Sequence, residues 1–210
     1  MVYDIHDVMN DVRVCLDQNM SSEQLIVTGD VDTLSLDEIV RSKIVDGVER
    51  VHRSAPTYLL EAGHNFGDAV YWGDLESGWV LLPNDFMRLI VFEMSDWERA
   101  VFTAISDTDA EYALQRQRVK ALRGTAQKPV CVLTTRPEGR VLEFYSCRSE
   151  DAYVRRGQYL PYPRIDGEGG IDICERCYQR AVYVAAGLTL LTLGEAEKAA
   201  TLMELSRADA

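Results

Sequence analysis

The apolar residues change their spacing twice along the chain, and this change limits the possible folds more than any other feature. Residues 4–18 and the segment after Ser35 carry apolar side chains at helical spacing. From about residue 66 the spacing becomes two, which is typical of strands, and from about residue 171 it is helical again. The order predicts helices, then a β block, then a helical hairpin, and it excludes a doubly wound sheet.

The second helix has the clearest start signal. Ser35 and Glu38 have the spacing of a capping box, in which each side chain accepts a hydrogen bond from the other's backbone N–H. Pro56 should end this helix. Asp4 can cap the first helix, and the polar stretch 21–30 between the two helices predicts a loop. The apolar stripe of the second helix comprises Leu36, Val40, Ile44, Val48, Val51 and Ala55.

Alternating apolar residues and turn residues predict the strands of the β block. Two hairpins and one further strand are expected: Ala69–Trp72 with Trp79–Leu82, Val130–Thr134 with Val141–Cys147, and Arg88–Met94. Residues 106–128 are polar and predict a short helix or a long excursion. Asp172 is the expected cap of the next helix, which Gly194 should end before a last helix over 195–207.

These elements predict an α+β fold. N-terminal helices and a C-terminal helical hairpin would form a helical bundle, with a small antiparallel β block inserted. We expect a single domain over residues 1–210, with helical parts at about 4–60 and 171–207 and the β block at about 66–160.

The charge balance limits the partners. The formal net charge is −12, so strong nucleic-acid binding, which depends on basic residues, is not expected. An acidic wall would still let DNA pass without sticking. There is no signal peptide and no apolar run long enough for a membrane span, and the five cysteines fit free thiols, so we expect folding in a cytosol.

The most specific local motif is the CxxC pair formed by Cys174 and Cys177. A CxxC near a helix N-terminus can be a redox pair, because such a position lowers a thiol pKa, although Asp172 would act in the opposite direction. It can also be half of a zinc site, which Cys131 and Cys147 would have to complete. The third reading is that these cysteines are small apolar core residues. No self-consistent catalytic centre is visible, and we expect no cofactor and no metal.

Aromatic and arginine residues are the other candidates for function. Both residue types are enriched in protein interfaces, although tryptophans also pack in cores and arginine runs also form solvated surfaces. The candidate interface residues are Trp72, Trp79, Trp97, Arg116, Arg118, Arg123 and Arg207.

One segment resembles a known family. Leu82–Leu89 reads Leu-Pro-Asn-Asp-Phe-Met-Arg-Leu, and in order along the chain it is followed by Ser95–Arg99, Leu142–Tyr145, Tyr159–Pro161 and Ala181–Gly187. In this order the segments resemble the head-to-tail connector or adaptor proteins that form the neck ring of tailed bacteriophages. The likeness extends loosely over residues 36–205 and does not include the Cys174/Cys177 pair.

The resemblance implies a virion protein that is not an enzyme. It would form a homo-oligomeric ring, a dodecamer in the virion neck, that bridges the portal protein and the next tail or neck component and extends the DNA channel. It would be made in the host bacterial cytoplasm. The C-terminal helix and tail would contact the portal, and the loops of the β block would face neighbours. The alternatives are a thiol oxidoreductase or a small metal-binding adaptor that uses Cys174 and Cys177.

Overall fold

The computed structural model describes residues 1–16, 35–61, 63–74 and 76–208. The chain divides into two compact units. We call Met1–Glu61 with Tyr162–Ala210 the helical unit, and Ala62–Pro161 the sheet unit. The predicted loop at 21–30 and the last two residues of the predicted helix 4–18 lie outside the described residues.

Five α-helices and ten strands form over the described residues. The helices are α1 (Ile5–Cys15), α2 (Leu36–Ser54), α3 (Ala110–Gln115), α4 (Tyr178–Thr192) and α5 (Ala196–Ala208). The strands are β1 (Val2–Asp4), β2 (His64–Asn65), β3 (Tyr71–Trp72), β4 (Ser77–Leu81), β5 (Phe86–Met94), β6 (Ile105–Ser106), β7 (Val130–Arg136), β8 (Gly139–Tyr145), β9 (Val154–Pro161) and β10 (Gly170–Asp172).

Local signals place the helix ends of the helical unit. The Asp4 side chain accepts a hydrogen bond from His6 N at the start of α1. Both hydrogen bonds of the capping box between Ser35 and Glu38 are present, so this prediction is confirmed. Gly194, with a φ of +87°, follows the last turn of α4 in the left-handed conformation that glycine adopts without strain.

Helix α4 lies at the centre of the helical unit. It packs against α1, α2 and α5, and its side chains from Ala181 to Leu190 are buried on almost every side. Small residues let the helices approach closely: a Cβ at Gly47 of α2 would lie 2.9 Å from Ala185 N of α4. Strands β1 and β10 pair antiparallel and close this unit.

The sheet unit contains two sheets. One has the order β3-β4-β8-β7-β6, in which all pairs are antiparallel except β6 with β7, and the other has the order β2-β9-β5. An aromatic core lies within this unit, and its rings contact each other at centroid distances of 5.7–6.2 Å. The rings at the centre of this core belong to Phe66, Phe92, Trp97 and Phe144.

The predicted fold, a helical bundle with a small inserted antiparallel β block, is wrong. The structure is mixed α and β, with 38% of residues in helices, 28% in strands and three sheets. One strand pair is parallel, and β1 and β10 lie in the helical unit. Asp172 is a residue of β10 and caps no helix, because a 3-10 turn at Glu175–Cys177 follows and α4 begins only at Tyr178. The long strand β9 was not predicted.

Candidate interaction surface

Residues 113–128 of the sheet unit carry a charge opposite to that of the chain as a whole. They contain five basic residues and no acidic residue, whereas the whole chain has 22 basic and 34 acidic residues. We call this segment the basic arm. It begins in α3, passes through a 3-10 turn at Lys120–Leu122 and ends before β7. The sequence predicts a short helix or a long excursion at 106–128, and the short helix is confirmed as α3.

Apolar side chains on the basic arm face solvent. Leu114, Val119 and Leu122 are 42%, 56% and 48% exposed. Arg116 and Arg118 are exposed beside them. Exposed apolar side chains next to arginines are a combination that a protein interface can use.

The basic arm is nevertheless fixed to the rest of its unit. Gln115 is 4% exposed, and its side chain donates a hydrogen bond to Glu111 O at 3.2 Å and accepts one from Gly124 N at 2.7 Å. This side chain therefore joins α3 to the residues that follow the 3-10 turn. The apolar residues are presented on an ordered segment, which lowers the entropy cost of binding.

A buried carboxylate lies between α3 and the five-stranded sheet. Glu143 on β8 is 4% exposed and accepts hydrogen bonds from Arg136 Nε and Nη2 at 2.9 and 2.6 Å. It also accepts bonds from the hydroxyls of Tyr145 at 2.7 Å and Tyr112 at 3.3 Å. Burial, followed by the hydrogen bond to Glu143, raises the pKa of Tyr145. We call these four residues the Glu143 cluster.

The Glu143 cluster connects two of the candidate interface residues. Arg116 donates to the Tyr112 hydroxyl and lies 4.5 Å from the centre of its ring. On the other side, Arg136 lies 5.1 Å from the ring centre of Trp79, which stacks on Tyr71 at 4.2 Å. The structure thus joins Arg116 and Trp79 through one network of aromatic rings, guanidinium groups and a carboxylate.

The other candidate residues have separate surroundings. Trp97 is 4% exposed in the aromatic core, and half-buried Trp72 meets Phe144 edge-on at 5.7 Å. Arg118 is exposed on the basic arm, Arg123 is half-buried near its end, and Arg207 is exposed in the last turn of α5. Trp97 therefore offers little surface to a neighbour, whereas the side chain of Arg118 is exposed.

Sequence reasoning missed the residues that organise this surface. The sequence analysis gave Arg136 no role, and Glu143 entered it only as part of the predicted strand Val141–Cys147. The signal was present for Glu143, because it is an acidic residue in an otherwise apolar run of β8. Such a residue is buried only when it has partners. The three exposed apolar residues of the basic arm could be recognised in the sequence, because two leucines and a valine stand among the arginines of this segment.

Cys174 and Cys177 are buried at the start of α4. Cys174 N donates a hydrogen bond to Nε2 of His52 at 3.1 Å. Burial raises the pKa of the Cys174 thiol, whereas a redox thiol needs a lowered one. Both cysteines lie among apolar residues of the helical unit, as the core interpretation expects.

Cys131 and Cys147, the proposed completing zinc ligands, belong to the core of the sheet unit, where burial raises the pKa of both thiols. Within the described ranges, no group of three or more His, Cys, Asp or Glu side chains is arranged to hold a metal ion. None of the helices in the described part of the chain is long and apolar enough to cross a membrane.

Neither the family models nor the curated proteins to which the sequence was compared give a match.

Proposed function

We propose that this chain is a structural subunit of a head-to-tail connector ring in the neck of a tailed bacteriophage. The observation that carries the proposal is the basic arm, an ordered segment that presents leucine, valine and arginine to solvent in an acidic chain. The order of the segments from Leu82 to Gly187 that resembles connector proteins supports the same function. The subunit performs no catalysis in this proposal.

The basic arm fits an assembly contact with an acidic surface. Exposed apolar residues supply the area removed from water, and arginines supply the orientation and specificity. Every neighbouring copy of the same acidic chain offers carboxylates to this arm. A contact between two different surfaces of identical subunits repeats from copy to copy, and it forms a ring, as a connector requires, when its rotation closes on itself.

The proposed partners are the portal protein on one side of the ring and the next tail or neck component on the other. DNA would pass through the ring without specific binding, since a net charge of −12 opposes retention of a polyanion. The proposed location is the virion neck, after synthesis in the host bacterial cytoplasm.

Reversing two charges of the basic arm tests the proposal. We expect Arg116→Glu with Arg118→Glu to lower assembly on purified portal at least tenfold, measured by mass photometry at 50 and 150 mM salt, because attraction becomes repulsion. The matched control is Arg41→Glu with Arg50→Glu on α2, two exposed arginines whose reversal changes the net charge by the same amount. Equal loss in both variants would mean that only the total charge matters.

Electron cryomicroscopy of the virion tests the location. We expect density for a ring of this chain between the portal and the tail. Virions whose neck is complete but lacks this chain would overturn the proposal, whatever the behaviour of the arm variants.

A further inference from the structure

One surface of the helical unit combines two tyrosine rings in contact with carboxylates. The ring centres of Tyr3 on β1 and Tyr178 on α4 lie 4.5 Å apart. The Tyr178 hydroxyl donates a hydrogen bond to Asp11 of α1 at 2.6 Å. Both tyrosines are half-buried, so each keeps part of its surface in contact with solvent.

Several carboxylates lie around this tyrosine pair. Burial raises the pKa of Tyr3, and the charge of Glu175 raises it further. Burial also raises the pKa of Tyr178, followed by the hydrogen bond to Asp11, and the charge of Asp7 adds to this effect. Asp7, Asp11 and Glu175 are all exposed. We call these two tyrosines and three carboxylates the acidic face.

The N-terminal ammonium lies beside the acidic face but binds two other carboxylates. It donates to Asp172 at 2.8 Å and to Glu61 at 3.3 Å. Glu61 adjoins the acidic face, because its other oxygen accepts a hydrogen bond from Glu175 N at 3.1 Å. This cation therefore offsets charges that are not part of the acidic face.

The basic side chains near the acidic face also have other partners. Arg13 of α1 pairs with Asp37 of α2. Arg176 donates a hydrogen bond to the carbonyl oxygen of Tyr58 at 3.2 Å. Carboxylates outnumber cationic groups on this part of the helical unit, so the acidic face keeps a negative charge.

Helix α1 extends the acidic face and adds an apolar residue. Asp7, Asp11 and Val14 are spaced by four and three positions, so they share one side of the helix. This stripe is about 10 Å long at the helical rise per residue. Val14 at its end is 78% exposed.

The basic arm of the sheet unit has the complementary features. Arg116 and Arg118 are exposed there beside exposed apolar side chains. Arg116 donates to the Tyr112 hydroxyl, which is neutral and leaves the charge of the guanidinium group uncompensated. Guanidinium groups bind carboxylates through paired hydrogen bonds and stack on aromatic rings. The arm therefore presents the groups that carboxylates, tyrosines and an exposed valine can bind.

Helix α5 is a second exposed surface with carboxylates, and it fits the basic arm less well. Glu197 and Glu204 lie on the same helix as Lys198 and Arg207, so charges of both signs are mixed there. This helix contains no tyrosine. An arginine of the arm would meet cations as well as carboxylates on α5, which weakens the attraction.

We propose that the acidic face of one copy of the chain receives the basic arm of a neighbouring copy. Arg116 and Arg118 bind the carboxylates and lie against the tyrosine pair, and the apolar side chains of the arm cover Val14. The arm and the face are different surfaces, so the contact repeats from copy to copy. The inference rests on the proposed function, because it names the surface that the arm binds within the ring.

An exchange of charges between two variants tests the contact without the portal. The arm variant carries Arg116→Glu with Arg118→Glu, and the face variant carries Asp7→Arg with Asp11→Arg. By sedimentation equilibrium at low salt, we expect the parent chain to associate below about 1 mM and each variant alone to associate roughly tenfold more weakly. An equimolar mixture should recover the association, because every arm then meets a face of opposite charge.

Two further variants separate the contact from folding and from total charge. Asp11→Arg removes the acceptor of the Tyr178 hydroxyl, so Asp7→Arg with Glu175→Arg is a second face variant that keeps this hydrogen bond. It should behave as the first one does. The matched control is Glu197→Arg with Glu204→Arg on α5, which changes the charge of the helical unit equally and should associate as the parent chain does.

Photo-crosslinking identifies the contacting residues. We expect benzoylphenylalanine at position 119, in a mixture of unlabelled and ¹⁵N-labelled copies, to crosslink to the peptide that contains Asp7 and Val14. Isotopically mixed products show that the crosslink joins two copies. Mass spectrometry of the digested products measures both.

A parent chain that stays monomeric at about 1 mM would overturn the inference. So would an equimolar mixture that does not associate, or crosslinks that join the arm to other segments or only to its own copy. If the arm variant nevertheless loses assembly on the portal, the arm binds the portal and the proposed function survives. If copies associate through this contact but complete virion necks lack the chain, the proposed function fails and the contact remains.

Discussion

His52 in the helical unit and Glu143 in the sheet unit are both titratable side chains that folding removes from water. His52 is 2% exposed, and burial lowers its pKa to about 4, so the folded chain contains a neutral imidazole that accepts a hydrogen bond from Cys174 N. Glu143 is 4% exposed and meets a cationic partner, Arg136, and two tyrosine hydroxyls.

The two residues show the two ways in which a folded protein can bury a titratable side chain. Burying a charge without a partner is too costly, so a group either becomes neutral or is paired. The neutral imidazole makes the helical unit sensitive to acid. The paired carboxylate makes the sheet unit sensitive to loss of any partner.

Removal of the Glu143 carboxylate should have the largest effect on stability. We expect Glu143→Ala to lower the free energy of unfolding by about 4 kcal/mol, because Arg136 and two tyrosine hydroxyls lose their acceptor. Glu143→Gln, which keeps an acceptor of the same size, should cost about half as much. Urea titration followed by tryptophan fluorescence measures both. A cost below about 1 kcal/mol for the alanine variant would mean that the cluster is solvated.

Acid should destabilise the chain through His52. The folded-state pKa of about 4 lies below the ordinary value of 6.5, so the unfolded chain binds the proton more readily. The stabilising contribution of the neutral imidazole is complete above pH 6.5, falls as the pH decreases toward 4 and is constant below that. The total loss is about 3 kcal/mol.

The matched control for His52 is His52→Gln, whose side chain keeps an acceptor but does not titrate. Urea titrations at pH 7.5, 6, 5 and 4.5 should show the parent chain losing its advantage over this variant as the pH falls. Asp172, Glu61 and the N-terminal ammonium also act on His52 and are the same in both chains. Parallel pH profiles would contradict the assignment.

The two tyrosines of the Glu143 cluster should differ in their contributions. Tyr145 donates at 2.7 Å from a buried position, whereas Tyr112 donates at 3.3 Å from a half-buried one. We expect Tyr145→Phe to cost about 1.5 kcal/mol and Tyr112→Phe about 0.5 kcal/mol in the same urea assay. A larger cost for Tyr112→Phe would place the centre of the cluster at α3.

An exposed charge should have the smallest effect on stability. Arg118→Glu on the basic arm should change the free energy of unfolding by less than about 0.5 kcal/mol. If this arm is an assembly surface, the same variant reduces assembly on the portal while its thermal unfolding matches that of the parent chain. A destabilised Arg118→Glu would show that the arginine acts within its own subunit.

Local signals accounted for the elements whose partners are close in the sequence. The Ser35 capping box, the stop at Gly194 and the hairpin of β7 with β8 each depend on residues within a few positions, and the structure confirms all three. The long strand β9 depends instead on β2 and β5, which lie far away in the sequence. Local propensity carries little information about such pairing.

One residue of β9 carried a readable signal. A Cβ at Gly157 would lie 2.4 Å from Phe66 O, so this position requires glycine. An isolated glycine within a strand often marks such a close backbone approach. At Cys174 no local signal existed, because its contact His52 is 122 positions away. The basic residues of the arm could be recognised from the composition of the segment. The hydrogen bonds by which Gln115 anchors the arm could not.

The pairing of β2 with β9 has a consequence for synthesis on the ribosome. His64 lies opposite Tyr159, so the sheet unit begins and ends at neighbouring positions and can close by itself while translation continues. Helices α1 and α2 emerge earlier but must wait for α4 until the 100 residues Ala62–Pro161 have been made. At an elongation rate of about 5 to 20 residues per second, these 100 residues alone take about 5 to 20 seconds, during which the apolar stripe of α2 lacks its α4 partner.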